Sequence, residues 1–351
     1  MCQIRQKYDD KVLGALACAG MGDALGAATE LYSIDEILER YHGFIADFQT
    51  PPNDTFAGSL GGIAGLITDD ASQMYVFAEG LIKTGKAHFD TSAWTECLLR
   101  WASMEPYANY KGPTTEQVVK ALKEGKPTNT IGLIGTSSRQ APNVGTTNGA
   151  AMRVAPAGLV WPGQPEKACE LAFATCLPSH DTNIAIASAC AIAAGVSTAM
   201  LADATVEKII ASTLRGAEYG EELAAQRCRV VAGPKIGKRL KLALDIAQSN
   251  SRLETFLREL EGYVGNSVNA HESVPSAIAI FAFCQGAPWQ TIHAAANAGN
   301  DTDSIATMAG AMAGAYKGFA ALPSDKYQFF YQVNKKDFDV ERIAQELSAL
   351  C

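Results

Sequence analysis

The chain holds 351 residues, 48% of them hydrophobic and 19% charged, which is material for a sizeable buried core and excludes a disordered chain or a coiled-coil rod. Lys and Arg number 29 against 37 Asp and Glu, a net charge of −8 with no basic run longer than a pair. That balance argues against a protein whose main task is to coat nucleic acid or an anionic membrane.

Small residues recur at helical spacing, and amphipathic or Gly/Ala-rich patterns predict helices in chain order. The first two fall at 11–28 and 33–40. Residues 12–22 follow Arg5, Lys7 and Lys11 as a secretory signal would, but Asp9 and Asp10 interrupt the basic stretch, so the run reads as a buried helix. A long loop at 49–62 precedes helices at 70–84, 92–102 and 115–124, and a second long loop spans 125–149. Loops of this length inside a compact fold are usually functional. Helices follow at 147–159, 166–175 and 182–201; the uncharged run 184–201 is dominated by Ala, Ser, Thr and Gly, which suit a buried helix better than a membrane span. The remaining helices are predicted at 205–217, 237–248, 251–260, 274–285, 288–297, 303–317 and 338–349. Strict alternation of β-branched and aromatic residues is nearly absent, so the fold class is all-α. Neither long loop has linker composition and no repeat appears, so residues 1–351 read as one domain. Nine scattered cysteines, odd in number and never spaced C-x-x-C, read as thiols of a reduced, cytoplasmic protein.

The acids carry the chemical signal. Thr68-Asp69-Asp70 and Asp301-Thr302-Asp303-Ser304 each open an apolar helix, and Gly22-Asp23-Ala24-Leu25-Gly26 precedes Glu30. Helix capping explains one such cluster. Two clusters hold more carboxylates than caps require. Asp69, Asp70, Asp301, Asp303 and Glu30 brought together would resist full ionisation without cations. Hard oxygen donors of this kind suit Mg²⁺, Mn²⁺ or Ca²⁺, and a pair of such ions would neutralise the charge.

The segments GDALGAATE, ITDDASQ, TTNGAAMRVAP and AGNDTDSIATMAGAMAGA together resemble the ADP-ribosylglycohydrolase family, over about residues 10–320. The resemblance implies a compact multi-helix orthogonal bundle around a binuclear centre of two Mg²⁺ (or Mn²⁺). It implies Thr68, Asp69, Asp70, Asp301, Asp303 and Ser304 as metal ligands. Glu30, Asp69 and Asp303 are the implied catalytic carboxylates. Gly145, Thr146, Thr147, Asn148 and Gly149 match a substrate-binding loop, and His180 matches a histidine near the substrate. Asp23 reads as structural, and Met152-Arg153 as packing with a buried ion pair. Trp101, Tyr107 and Tyr110 read mainly as core aromatics, with stacking on a base as the alternative. Asn300 stands where the family usually has Gly; Asn tolerates the left-handed turn such a position needs.

The expected activity is hydrolysis at the anomeric carbon of an ADP-ribose-like ribose, with an arginine guanidinium as the favoured leaving group. The expected partners are an ADP-ribose-like small molecule or an ADP-ribosylated protein, with no nucleic acid, no membrane, and a monomeric enzyme. The same chemistry on a free nucleoside or other small ribosyl metabolite is one alternative. A non-catalytic ADP-ribose-binding or structural protein is another.

Overall fold

The computed structural model describes residues 2–133, 141 and 143–351, and among them are seventeen α-helices and no strand. In chain order they are α1 (Cys2–Gly26), α2 (Ile34–Arg40), α3 (Phe56–Ser59), α4 (Asp69–Thr84), α5 (Thr91–Trp101) and α6 (Pro113–Lys123). Then come α7 (Ala155–Leu159), α8 (Pro165–Cys176), α9 (Asn183–Ala199), α10 (Val206–Arg227), α11 (Ile236–Ser249) and α12 (Leu253–Tyr263). The last five are α13 (Ala270–Phe283), α14 (Pro288–Ala296), α15 (Thr302–Lys317), α16 (Ser324–Asn334) and α17 (Val340–Ser348). The all-α expectation is met. Of the long loop at 125–149, residues 134–140 and 142 lie outside the described residues.

Two predicted elements need correction, and two helices, α3 within the loop expected at 49–62 and α16, fall where none was predicted. The helix expected at 147–159 is a 3-10 turn at Asn148–Ala150 followed by short α7. Pro156 has no N–H for the carbonyl of Met152, so one continuous helix cannot form there. The helix expected at 205–217 runs on to Arg227, because Gly220 and Leu223 keep one face on the core after the sequence turns polar. Helix α16 was not anticipated; its run YQFFYQV has the aromatic content of a strand, yet Tyr327 and Phe330, three apart, share one buried face.

Small residues set the packing. Helix α1 lies along α15 at backbone contact: a Cβ on Gly22 would sit 2.5 Å from the Ala306 carbonyl oxygen, and one on Gly26 would sit 2.5 Å from Asp303 Cα. On α15, a Cβ at Gly310 would sit 2.7 Å from the Cys18 carbonyl oxygen. The same device joins α9 to α10, where Gly216 meets the Cys190 carbonyl and Gly220 meets Ala187 Cα. Helix α9 is buried along nearly its whole length, and among the described residues no helix is long and apolar enough to cross a membrane. At the far end of the α1–α15 pair, the largely buried Lys11 ammonium donates to the carbonyls of Ala199 (2.6 Å), Leu201 (3.1 Å) and Tyr316 (3.2 Å). One cation thereby closes the C-terminal ends of both α9 and α15, where orphan carbonyls and negative helix ends gather.

The seam makes opposite predictions for two glycines. On an open helix face Gly→Ala stabilises by about 0.5–1 kcal/mol. Gly262 on α12 has open space around it and should behave so. Gly22→Ala should instead lower unfolding free energy by about 1–3 kcal/mol, because overpacking outweighs propensity. Denaturant titration of the two variants checks the pair.

Candidate active site

Helix α4 begins at the wall of a cleft, and its N-terminus is capped from outside. Its own N-cap residue, Thr68, makes no side-chain cap bond. Instead the fully buried Asp23 of α1 accepts from the Thr68 N–H (3.0 Å), the Thr68 hydroxyl (2.7 Å) and the Ala71 N–H (2.9 Å). With those donors satisfied, Asp69 and Asp70 are spare as caps. Asp70 Oδ1 is buried with no hydrogen-bond partner among the described residues.

Helix α15 presents the second acid group in the same way. Asp301 occupies its N-cap position without a side-chain cap bond. Asn300, directly before it, takes the left-handed conformation (φ 62°) that its side chain tolerates, so the turn survives the absence of glycine. Its backbone pairs with the turn after α1: Asn300 N–H donates to the Tyr32 carbonyl (2.8 Å) and Leu31 N–H to the Asn300 carbonyl (2.7 Å). That pairing holds Glu30 beside Asp301 and Asp303, with one carboxylate oxygen from each lying within 4.8 Å of the others. The Asn148 amide donates to Asp301 Oδ2 and to Ser273 Oγ, and the Ser304 N–H donates to Asp303 Oδ1 at 2.9 Å.

The acids converge on a cleft of about 340 Å³ that is lined by Glu30, Asp69, Asp70, Asp301, Asp303 and Ser304. Thr147, Asn148 and Gly149 form another part of the wall, and Phe56, Tyr110, Met152 and Val268 add apolar surface. Burial, then the charge of Asp303, pushes the carboxyls of Glu30, Asp69, Asp70 and Asp301 well above the usual carboxylate range. Burial also raises Asp303, against the pull of the Ser304 N–H, and lifts Asp23 to about 7. Such a cluster cannot ionise fully by itself. An orphaned buried carboxylate oxygen among all-oxygen donors fits a hard divalent cation, which would restore full ionisation. Thr68 gives its proton to Asp23 and keeps a lone pair for such an ion.

Other predicted residues lie behind the wall. His180 is fully buried, with Nε2 3.0 Å from Thr147 Oγ1 and Nδ1 2.8 Å from Ser179 Oγ, so it supports the 145–149 loop from the rear. Gly145 takes φ 72° and its carbonyl accepts from the Thr182 hydroxyl; Thr146 is buried, its carbonyl accepting from the Ala270 N–H. Trp101 is a core residue that donates to Ser72 Oγ, and the Tyr107 hydroxyl donates to Asp337; of the three aromatics considered for stacking, Tyr110 alone lines the cleft, edge-on to Phe56. The ion pair expected for Arg153 is replaced by neutral partners: among the described residues no carboxylate lies within ion-pair distance, and burial lowers its guanidinium to about 10. Sequence reading missed Gln73, whose amide donates to Asp69 Oδ2 at 3.2 Å. Its position four residues after Asp69, on one helix face, was the available signal. It also missed the cleft wall at Lys111 to Thr115, which carries no motif.

Comparison with known proteins adds to this geometry. The family described as ADP-ribosylglycohydrolase matches residues 4–351. The chain is 30% identical over 335 residues to the uncharacterized protein YegU of Escherichia coli (strain K12), covering 94% of each. It is 27% identical over 334 residues to ADP-ribosylhydrolase ARH3 of Homo sapiens, covering 90% of this chain and 87% of that one. A solved structure named "ADP-ribosylglycohydrolase-related protein complex" superposes with a TM-score of 0.66 at 21% identity, over 98% of this chain and 99% of that one, which shows a shared fold.

Two measurements test the supports of the site. Asp23→Ala strands three buried donors, each costing about 1–3 kcal/mol; part of this is offset by removing one buried negative charge. The expected result is a net stability loss and faster amide exchange at residues 68–72 than elsewhere in α4. His180 is held neutral, well below its ordinary value near 6.5, first by burial and then by the Arg153 charge. Below pH 6.5 the unfolded chain gains a proton that the native ring refuses, so native stability falls on acidification. Between pH 7.5 and 5.5 the stability difference between wild type and His180→Gln should shrink by up to about 1.4 kcal/mol, as read by denaturation at both pH values.

Proposed function

The chain belongs to the ADP-ribosylglycohydrolase family, and from that premise we propose that it is a divalent-metal-dependent hydrolase releasing ADP-ribose from a modified side chain, with ADP-ribosyl-arginine the favoured substrate. The observation that carries the reading is the convergence of Glu30, Asp69, Asp70, Asp301 and Asp303 on one cleft, with the start of the helix that carries Asp69 and Asp70 capped from outside by Asp23. Membership of the family supports hydrolysis of a glycosidic bond. Relatives named ADP-ribosylhydrolase support ADP-ribose as the unit released. One domain over residues 1–351, acting as a cytoplasmic monomer, completes the proposal.

Thr68, Asp69, Asp70, Asp301, Asp303 and Ser304 would hold two Mg²⁺ or Mn²⁺. Bound there, such ions would supply Lewis-acid polarisation and lower the pKa of water. The chain's own carboxylates do the rest. Glu30 lines the cleft beside Asp301 and Asp303 and is placed to take a proton from the attacking water. The water oxygen bonds to the anomeric carbon while the bond to the side-chain nitrogen breaks and the leaving group departs with that bond's electron pair. Positive charge that builds on the ribose ring is favoured by the surrounding carboxylates. Thr147, Asn148 and Gly149 would hold the remainder of the ADP-ribosyl unit, with His180, Gly145 and Thr146 fixing that loop. The modest cleft volume favours one second reading, cleavage of a small ribosyl metabolite such as a nucleoside.

Mass spectrometry of an ADP-ribosyl-arginine peptide, an ADP-ribosyl-serine peptide and nucleosides, each with Mg²⁺, Mn²⁺ or EDTA, tests both. Metal-dependent ADP-ribose from a peptide is the expected result; base release from a nucleoside with both peptides intact supports the second reading. Inertness towards every substrate overturns both. Asp303→Asn should lose more than the ~10–100-fold typical of an outer-shell partner. In EDTA the same variant should melt above wild type, having one fewer buried charge, and with Mg²⁺ the order should reverse.

A further inference from the structure

Arg153 is fully buried and lies with its guanidinium 4.6 Å from the Trp94 ring centroid. A guanidinium has five N–H donors and no acceptor, so every polar group it touches must present an oxygen to it. Its Nη1 donates to Gln73 Oε1 (3.1 Å) and to the Gly149 carbonyl; its Nη2 donates to the Thr175 carbonyl and Ser179 Oγ, both at 3.3 Å. Two chains of hydrogen bonds leave from these contacts, and both reach the cleft.

The first runs through Gln73. With Oε1 held by Arg153, the amide nitrogen must face the other way, where it donates to Asp69 Oδ2 at 3.2 Å. A flipped amide would set its oxygen against a carboxylate and its NH₂ against a guanidinium, so the orientation is locked. The second runs through Ser179. Its oxygen accepts from Arg153, and among the described residues its hydroxyl hydrogen has one acceptor in reach, His180 Nδ1 at 2.8 Å. The ring therefore keeps its proton on Nε2 and donates it to Thr147 Oγ1 at 3.0 Å. The Thr147 hydroxyl hydrogen is then released from the interior, and Thr147 lines the cleft.

We infer that Arg153 is a positioning residue that fixes the direction of both chains, holding a donor on Asp69 and turning the Thr147 hydroxyl into a donor aimed at a ligand oxygen. The direction follows from the hydrogen-bond partners alone; identifying the ligand oxygen as a phosphate or ribose oxygen of ADP-ribose rests on the proposed function. An oxygen-rich ligand entering a cleft of carboxylates needs donors, and a hydroxyl left to itself would turn its hydrogen to whichever acceptor lay nearest. The neutral state of His180 agrees with this arrangement.

The test begins with the unliganded wild type. Protein labelled with ¹⁵N-histidine, its His180 signals assigned with His180→Gln, should show a neutral ring with the proton on Nε2 at pH 7.5. A proton on Nδ1, or a charged ring, overturns the inference. Ser179→Ala removes the donor to Nδ1 and should abolish the tautomer preference while leaving Mg²⁺-induced thermal stabilisation unchanged; an unaltered tautomer overturns the relay. Arg153→Lys, also donor-only, should retain the preference, and Arg153→Met should lose it. ADP-ribose binding by calorimetry should weaken ~10–100-fold in Thr147→Val, as for one hydrogen bond to a charged group, and recover in Thr147→Ser. Equal affinity in wild type and Thr147→Val overturns the donor role. Absence of ADP-ribose binding in wild type overturns the proposed function and the ligand assignment, while the tautomer result still decides the direction.

Discussion

Backbone contact between α1 and α15 is the constraint on which the site depends. Gly22 and Gly26 bring α1 against Ala306 and Asp303, closer than any side chain permits, and Asp23 lies between those glycines in sequence. The same helix therefore touches α15 through its glycines and reaches α4 through Asp23. Two helix N-termini that lie more than 200 residues apart in the chain are thus registered against one rigid rod. Any shift of α1 would move both acid groups at once.

Magnitudes show why this arrangement calls for a counter-charge from outside the chain. The positive ends of α4 and α15 favour carboxylates by about 0.3–1 kcal/mol each. Desolvation of each buried carboxylate costs several kcal/mol. Arg153, fully buried behind the wall, makes no ion pair with Asp69 and is joined to it by hydrogen bonds through Gln73. Helix ends and one relayed guanidinium therefore fall short of what five acids require, and the extensive Ala- and Gly-rich core carries the strain of holding them together. Five carboxylates held this way are expensive to keep ionised, and under the proposed function that cost would become affinity for divalent cations.

Much of this is legible in the sequence. The helix expected at 303–317 is α15 almost to the residue, and 70–84 is α4, because acids mark both starts and small apolar residues mark both lengths. The excess of carboxylates over capping needs was likewise visible, and it pointed to one shared site. What sequence spacing did not reveal was tertiary in origin. That Asp23 caps a different helix depends on where α1 crosses α4. Arg153 sits inside a segment expected to be helical, and neither its neutral partners nor the direction of its hydrogen bonds follows from neighbours in the chain. His180 was expected near the ligand and lies one residue behind the cleft wall, a distance too small for spacing to resolve. Helix α16 was hidden by aromatic residues whose strand preference yields to burial on one face.

The closing of the seam has a consequence for synthesis. Thr29 bonds to Thr302 across 273 residues, and Lys11 bonds to Tyr316 across 305. At about 5–20 residues per second, a ribosome needs about 14–55 s to travel from the first of these threonines to the second. Late in that interval the emerging chain carries Glu30, Asp69 and Asp70 together with α1, but it lacks Asp301, Asp303 and the helix α15 that presents them. The pocket is assembled when the late helix docks onto the early one, and a copy truncated anywhere before that point has no partial version of it to use.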